Sequence, residues 1–99
     1  MAYKIIVSPR AQKEIENAID YYALYNVDAP TKFIGTLREA YATLTINPFL
    51  NRVRYKNIRA LRLIKFPYAL YFDVNQSKNI VKILSCFHNK RNPDKRPKY

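Results

Sequence analysis

The sequence predicts a small α+β domain, in which an N-terminal strand and an antiparallel two-helix hairpin pack on one face of a mainly antiparallel sheet. The order of elements is β-α-α-β-β-β: a short β-branched run, two amphipathic helical segments, and then short β-branched and aromatic segments separated by turn residues. The hairpin alone could not bury both helical stripes, so the helices need a sheet to pack on. With 99 residues, the chain is expected to form one domain.

The first half of the chain provides the initial strand and the helix hairpin. Tyr3–Val7 is β-branched, and Ser8–Pro9 supplies an N-cap and a proline at the first position of a helix that we expect to run to about Tyr25. Asp28 is the expected N-cap of the second helix, which Asn47–Pro48 ends. The short link between these helices makes them antiparallel neighbours.

The second half provides the sheet and a basic tail. Residues 51–55 are expected to form a loop or a short strand, and three strands are expected at 58–66, 69–74 and 80–87. Their short connections predict an antiparallel meander. Residues 88–99 contain two prolines and no apolar period, so an irregular basic tail is expected.

Positive charge is concentrated in the second half of the chain. The formal net charge is +11, yet residues 1–50 contain five basic and five acidic residues, whereas residues 51–99 contain thirteen basic and two acidic ones. Such an asymmetry favours a polyanionic partner, either a nucleic acid or an acidic protein. A basic face that is merely solvated is the alternative.

Strand alternation predicts which charged side chains share a face. In the 58–66 strand, Arg59 and Lys65 alternate with Arg62 and therefore lie on the opposite face from it. In the last strand, strict alternation places Lys82 and His88 together, on the face turned away from the helices or at its rim. We therefore expect a sheet that is covered on one side and basic on the other.

Several kinds of site find no support in the sequence. There is one histidine, one cysteine and no paired carboxylate near them, so neither a metal site nor a cofactor is expected. The single glycine argues against a Gly-rich phosphate loop, and Cys86 is expected to be a small buried apolar residue. The apolar runs are too short for a signal peptide or a membrane span, so we expect a cytoplasmic protein without membrane contact.

The basic residues could support either RNA cleavage or binding alone. Cleavage by the 2′-hydroxyl needs a proton-transfer group, for which His88 is suited because the pKa of histidine lies near neutrality. Arg59, Arg62 and Arg91 could hold the phosphate through their planar guanidinium groups. Binding of a phosphate or an acidic partner without chemistry would use the same arginines, so both functions remain open.

Five short segments are distinctive when they are taken together. They are Ser8–Pro9, Asp20–Tyr22, Asn47–Pro48, Arg59 ahead of Phe66–Tyr71, and Phe87–Pro93. In this order, over nearly the whole chain, they resemble the RelE/ParE superfamily of bacterial type II toxin–antitoxin toxins, which includes the plasmid stabilisation proteins. The resemblance implies a toxin that is neutralised in a hetero-oligomer by an acidic antitoxin, through an extended or helical segment.

The superfamily divides by activity. RelE-like members are ribosome-dependent mRNA endonucleases, and the basic half favours this hypothesis, with His88 as general acid or base and Arg59, Arg62 and Arg91 on the scissile phosphate. Docking to RNA and the ribosome is then expected of the other basic residues of this region: Arg52, Arg54, Lys56, Lys65, Lys82 and Lys90. The alternative is a ParE-like inhibitor of DNA gyrase without nuclease activity, acting through the helix hairpin and the tail.

Overall fold

A computed structural model describes residues 2–89 and shows a five-stranded sheet with two helices on one face. The tail from residue 90 to residue 99, with Lys90 and Arg91, lies outside the described residues. The elements are β1 (Lys4–Val7), α1 (Pro9–Ala23), α2 (Ala29–Ile46), a 3-10 turn (Pro48–Leu50), β2 (Val53–Tyr55), β3 (Ile58–Arg62), β4 (Tyr68–Asn75) and β5 (Ile80–His88).

The strands lie in the order β1-β5-β4-β3-β2. β1 runs parallel to β5, and the other three pairs are antiparallel. The predicted α+β class, with its helix hairpin on a mainly antiparallel sheet, is confirmed. The segment that was expected to be a loop or a short strand forms β2 at one edge of the sheet.

The hydroxyl of Ser8 fixes the junction between β1 and α1. Its Oγ accepts a hydrogen bond from the N–H of Ala11 and donates one to the carbonyl oxygen of Leu84, each at 3.1 Å. Pro9 begins the helix at a position where no N–H is needed. The predicted helix start is therefore confirmed, and the capping residue also ties α1 to β5.

The second helix begins as predicted, but the side chain of Asp28 does not cap it. Asp28 occupies the N-cap position without a side-chain hydrogen bond to the helix. Instead, Oδ1 of Asn26 accepts hydrogen bonds from the N–H groups of Asp28 at 2.9 Å and Ala29 at 2.8 Å. Asn26 can do this because its short side chain reaches the backbone two and three residues further on.

β3 is shorter than predicted, because the chain turns before Phe66. Lys65 has φ 70°, in the left-handed region that ends regular strand geometry. Leu63 donates its N–H to the carbonyl oxygen of Tyr68 at 2.9 Å across this turn. The reversal therefore begins several residues ahead of the bend that was expected at Pro67–Tyr68.

The core lies between the two helices and one face of the sheet, which we call the helix face; the opposite face is the outer face. Residues of β4 alternate between the two faces. Leu70 and Phe72 lie on the helix face and belong to the core, so Ala69 and Tyr71 lie on the outer face. The largest fully buried apolar side chains come from α2, β4 and β5: Phe33, Leu44, Leu70, Phe72, Val81 and Ile83.

A β-bulge interrupts the alternation of β5 at Leu84. Tyr71 pairs with Ser85 while its neighbour Phe72 pairs with Ile83, so Leu84 is an extra residue on β5. As a result Ile83 and Cys86, three residues apart, both contribute to the core. The bulge thus reverses which residues of β5 face the helices.

This reversal corrects one prediction. Lys82, before the bulge, pairs with Asp73 on the outer face. His88, after the bulge, pairs with the core residue Tyr68 and lies on the helix face. The prediction that Lys82 and His88 share a face is wrong, because strict alternation does not continue through a bulge.

Glu14 closes the edge of β5 beyond the end of β1. The register of β1 with β5 ends at Val7 and Ile83. Further along β5, Oε1 of Glu14 accepts hydrogen bonds from Ser85 Oγ at 2.7 Å and from the N–H of Cys86 at 3.1 Å. A carboxylate of α1 therefore accepts from the Ser85 hydroxyl and from the backbone N–H of Cys86, a group that a neighbouring strand would otherwise satisfy.

Candidate functional site

The outer face of the sheet carries a groove that is lined by arginines. Two cavities, of about 560 and 260 Å³, share Arg54, Ala60 and Arg62 in their linings. Arg62 pairs with Ala69, and Ala60 pairs with Tyr71. Because Ala69 and Tyr71 lie on the outer face, Arg62 and Ala60 lie there as well. We call this feature the basic groove, and its polar lining is Asn51, Arg52, Arg54, Arg62, Tyr71 and Asn89.

No acidic side chain lines the basic groove within residues 2–89. Arg52, Arg54 and Arg62 are exposed, whereas Tyr71 and Asn89 are half-buried. Guanidinium groups bind carboxylates or phosphates through two parallel hydrogen bonds, and the ring of Tyr71 offers an apolar surface beside them. The groove is therefore suited to an anionic chain, either a phosphate backbone or an acidic peptide.

Arg59 lies apart from the basic groove. It pairs with Phe72, which places it on the helix face, and it is half-buried. Its guanidinium donates a hydrogen bond to the carbonyl oxygen of Asn51 and lies over the ring of Phe49, with 5.1 Å from Cζ to the ring centroid. These contacts stabilise the loop before β2.

The predicted lysines do not form a cluster. Lys56 lies in the turn between β2 and β3 with φ 51°, and its Nζ is 5.4 Å from the ring centroid of Tyr55. Lys65 lies in the turn after β3, and Lys82 lies on the outer face opposite Asp73. Lys90 and Arg91 fall outside the described residues.

His88 borders a different cavity, of about 480 Å³, at the end of the helix hairpin. Its ring stands edge-to-face against Tyr68, with 4.9 Å between centroids. The other walls are aromatic rings from the end of α1 and from the turn after β3, and Lys32 of α2 lies beside them. We call this feature the aromatic pocket; its aromatic rings and its lysine are Tyr21, Tyr22, Tyr25, Phe66, His88 and Lys32.

The rings of the aromatic pocket meet at steep angles. The interplanar angle is 73° between Tyr21 and Tyr22, 69° between Tyr21 and Tyr25, and 76° between Tyr22 and Phe66. The hydroxyl oxygens of Tyr21 and Tyr25 are 2.7 Å apart. Burial, followed by the neighbouring Tyr25, raises the pKa of Tyr22, so its hydroxyl stays neutral at physiological pH.

Sequence reasoning did not predict the aromatic pocket, although a signal was present. Tyr21 and Tyr25 are four residues apart, a spacing that brings side chains together on one side of a helical turn. Phe66 lies beside these tyrosines only because the chain turns at Lys65. The sequence pattern had predicted a strand through this position, so the turn was not expected. The structure therefore divides the predicted catalytic set: Arg62 lines the basic groove, His88 lines the aromatic pocket, and Arg59 lines neither.

Cys86 is buried in the core, as predicted. Burial, and then the neighbouring Glu14 carboxylate, raises the pKa of its thiol to about 12, so the reactive thiolate is scarce near neutral pH. Among the described residues, no group of three or more His, Cys, Asp or Glu side chains could hold a metal ion. In the same part of the chain, neither helix is long and apolar enough to cross a membrane.

One family model matches most of the chain. Residues 5–93 match the model described as the ParE toxin of the type II toxin–antitoxin system parDE. A comparison with curated protein sequences finds no significant match.

Solved structures share the fold at low sequence identity. A chain of the chromosomal ParDE system from P. aeruginosa has a TM-score of 0.69 at 16% identity, covering 88% of this chain and 96% of that one. The RelBE2 complex from Mycobacterium tuberculosis gives 0.66 at 15%, covering 89% and 99%. The isolated E. coli RelE toxin gives 0.66 at 19%, covering 94% and 90%. The fold is thus common to proteins named ParE and RelE.

Proposed function

Because the chain belongs to the ParE toxin family of type II toxin–antitoxin systems, we propose that it acts by binding its target, DNA gyrase, and not by cutting mRNA. The observation that supports this proposal is the placement of His88 and Arg62 on opposite faces of the sheet. A toxin that works by binding needs a shaped and charged surface. It needs no proton-transfer group beside a phosphate-binding arginine.

RNA cleavage makes stricter demands on geometry. A general acid or base must lie within about 3 Å of the oxygen whose proton it transfers, and the cations must contact the same phosphate. The sheet backbone separates His88 from the basic groove, and Arg59 is engaged with Asn51 and Phe49. Within residues 2–89, the arginine-lined groove and His88 therefore lie in two different places, which supports a function in binding over cleavage.

An mRNA endonuclease is the second candidate, and the basic groove favours it. Three exposed arginines beside the ring of Tyr71 are suited to a single-stranded RNA, which combines a charged backbone with stacking bases. His88, Arg59, Arg62 and Arg91 are the catalytic hypothesis for this candidate. It requires His88 and Arg62 to act on one phosphate in the complex with the ribosome.

We also propose that an acidic antitoxin neutralises the toxin in a hetero-oligomer and places its acidic segment in the basic groove. The groove has no acidic lining within the described residues, and the second half of the chain holds thirteen basic residues. Because exposed charges are screened by salt, the contribution of this contact to affinity should fall as ionic strength rises.

Two assays on the same purified toxin separate the candidates. The first measures DNA supercoiling by gyrase at saturating toxin, and the second maps message ends by primer extension in a cell-free translation reaction. We expect blocked supercoiling and an intact message. A cleaved message together with full gyrase activity would overturn the proposal in favour of the endonuclease.

A further inference from the structure

We propose that the aromatic pocket is a docking site for the antitoxin, and that it accepts an apolar side chain flanked by carboxylates. This inference rests on the toxin–antitoxin function proposed above. It adds a second contact, on the other face of the sheet from the basic groove.

The aromatic pocket opens onto an exposed apolar surface at the end of the helix hairpin. Tyr25, in its wall, is 66% exposed, and the adjacent turn holds Leu24 at 86% and Val27 at 91% exposure. Several large exposed apolar side chains beside a cavity are typical of a place where another molecule binds. The volume of about 480 Å³ falls in the range of about 300–1,000 Å³ that is typical of ligand pockets.

The angles between the rings indicate which shape fits. The pairs Tyr21–Tyr22, Tyr21–Tyr25 and Tyr22–Phe66 meet at 69–76°, so none of these pairs presents two parallel ring faces. A nucleobase stacks on the face of one ring and needs a slot with roughly parallel walls. A bulky apolar side chain has no such requirement and gains contact with every wall, as an anchor residue does at a protein interface.

The charges beside the rings indicate what should flank that side chain. An aromatic box alone could bind a cation. However, Lys32 and His88 both line the pocket, and no acidic side chain lines it among the described residues. The positive charge of Lys32 disfavours a cation and favours carboxylates on either side of the apolar anchor. The net charge of +11 makes an acidic protein the matching partner.

A fluorescent peptide tests this inference on the intact toxin. The chain contains no tryptophan. The fluorescence of a short synthetic peptide with one tryptophan between aspartates therefore reports only the burial of that tryptophan. We expect a blue-shifted emission on binding and a loss of affinity of about tenfold or more in Tyr25→Ala. Tyr55→Ala is the matched control, because Tyr55 is 50% exposed on β2 and lies outside the pocket lining.

Charge reversal provides the second comparison. Lys32→Glu should weaken binding of the peptide, whereas Lys78→Glu, in the turn between β4 and β5, should leave it unchanged. Equal effects of Tyr25→Ala and Tyr55→Ala would overturn the inference. Displacement of the peptide by uridine monophosphate would make the pocket a nucleotide site instead, and tighter binding of a lysine-flanked peptide would make it a cation site.

A variant outside the helix hairpin distinguishes the antitoxin from the target. Phe66→Leu changes the pocket from the turn after β3, so it should weaken binding of the peptide and still act as the wild type does in the gyrase and translation assays. If Phe66→Leu loses that action, the pocket serves the target and the antitoxin inference is overturned. The peptide assay contains neither gyrase nor ribosomes. It therefore tests the docking site alone, while the gyrase and translation assays test the proposed function.

Discussion

The two faces of the sheet are built by the same strands, but they carry opposite kinds of chemistry. On the outer face, Arg54 and Arg62 line a groove without acidic residues in the described part of the chain. On the helix face, the end of the sheet contributes Phe66 and His88 to a pocket of aromatic rings. The arginine-lined groove and the aromatic pocket are therefore separated by the thickness of one sheet. The bulge at Leu84 assigns the single histidine to the apolar side.

The largest effect is expected from reversing charge in the basic groove. Arg54→Glu combined with Arg62→Glu should weaken binding of a labelled oligoglutamate peptide by a factor of about 100 or more, since each hydrogen bond between charged groups contributes about 1.5–3 kcal/mol. Lys13→Glu with Lys78→Glu makes the same change of net charge at exposed sites outside the groove. Equal losses in the two double variants would show that only overall charge matters.

Alkaline pH tests how well the helix face excludes water around Cys86. Below pH 9 the thiol is protonated in the folded and in the unfolded chain, so its full contribution to the free energy of unfolding is present. Between the unfolded pKa of 9.0 and the folded pKa of about 12, only the unfolded chain loses the proton. The free energy of unfolding should therefore fall by about 1.4 kcal/mol per pH unit in that window.

The matching control for this titration is Cys86→Ala, measured by urea unfolding at each pH. Its stability should fall less steeply above pH 9. Burial also raises the pKa of Tyr41 to about 12, so some loss should remain above pH 10 in this variant. Identical slopes for the two proteins would contradict the assignment of the effect to Cys86.

Glu14→Ala should lower the free energy of unfolding by about 2 kcal/mol, because Ser85 Oγ and the N–H of Cys86 lose their acceptor. Glu16→Ala, an exposed site on the same helix, should change stability by less than about 0.5 kcal/mol. Urea denaturation measures both. If Glu14→Ala were as stable as Glu16→Ala, the carboxylate would not be holding the bulge.

The smallest effect is expected at His88. His88→Phe keeps an aromatic ring against Tyr68 but cannot transfer a proton, and it should arrest growth as the wild type does when expressed without antitoxin. His88→Ala should do the same, with a loss of stability of about 1 kcal/mol from the missing ring contact. Loss of growth arrest in both variants, with the fold intact by circular dichroism, would support the endonuclease.

The sequence was sufficient to predict the order of elements, the helix hairpin and the placement of Arg59 and Arg62 on opposite faces of one strand, because these depend on local periodicity. The bulge could not be predicted, since its supports are distant: Ser8 contacts Leu84 across 76 positions, and Glu14 contacts Ser85 across 71. The same limit applies to the candidate sites. Charge counting located the arginines of the basic groove, whereas the aromatic pocket depends on a turn at Lys65 that the strand pattern concealed.

The internal position of β5 in the sheet has a consequence for how the chain folds. β5 lies between β1 and β4, so the first strand has no partner in the sheet until the last strand has been made. Pairings across so long a separation close slowly, because the intervening chain loses much entropy first. A nascent chain that stops before Ile80 would expose strand edges on both β1 and β4, which favours aggregation over a partly active product.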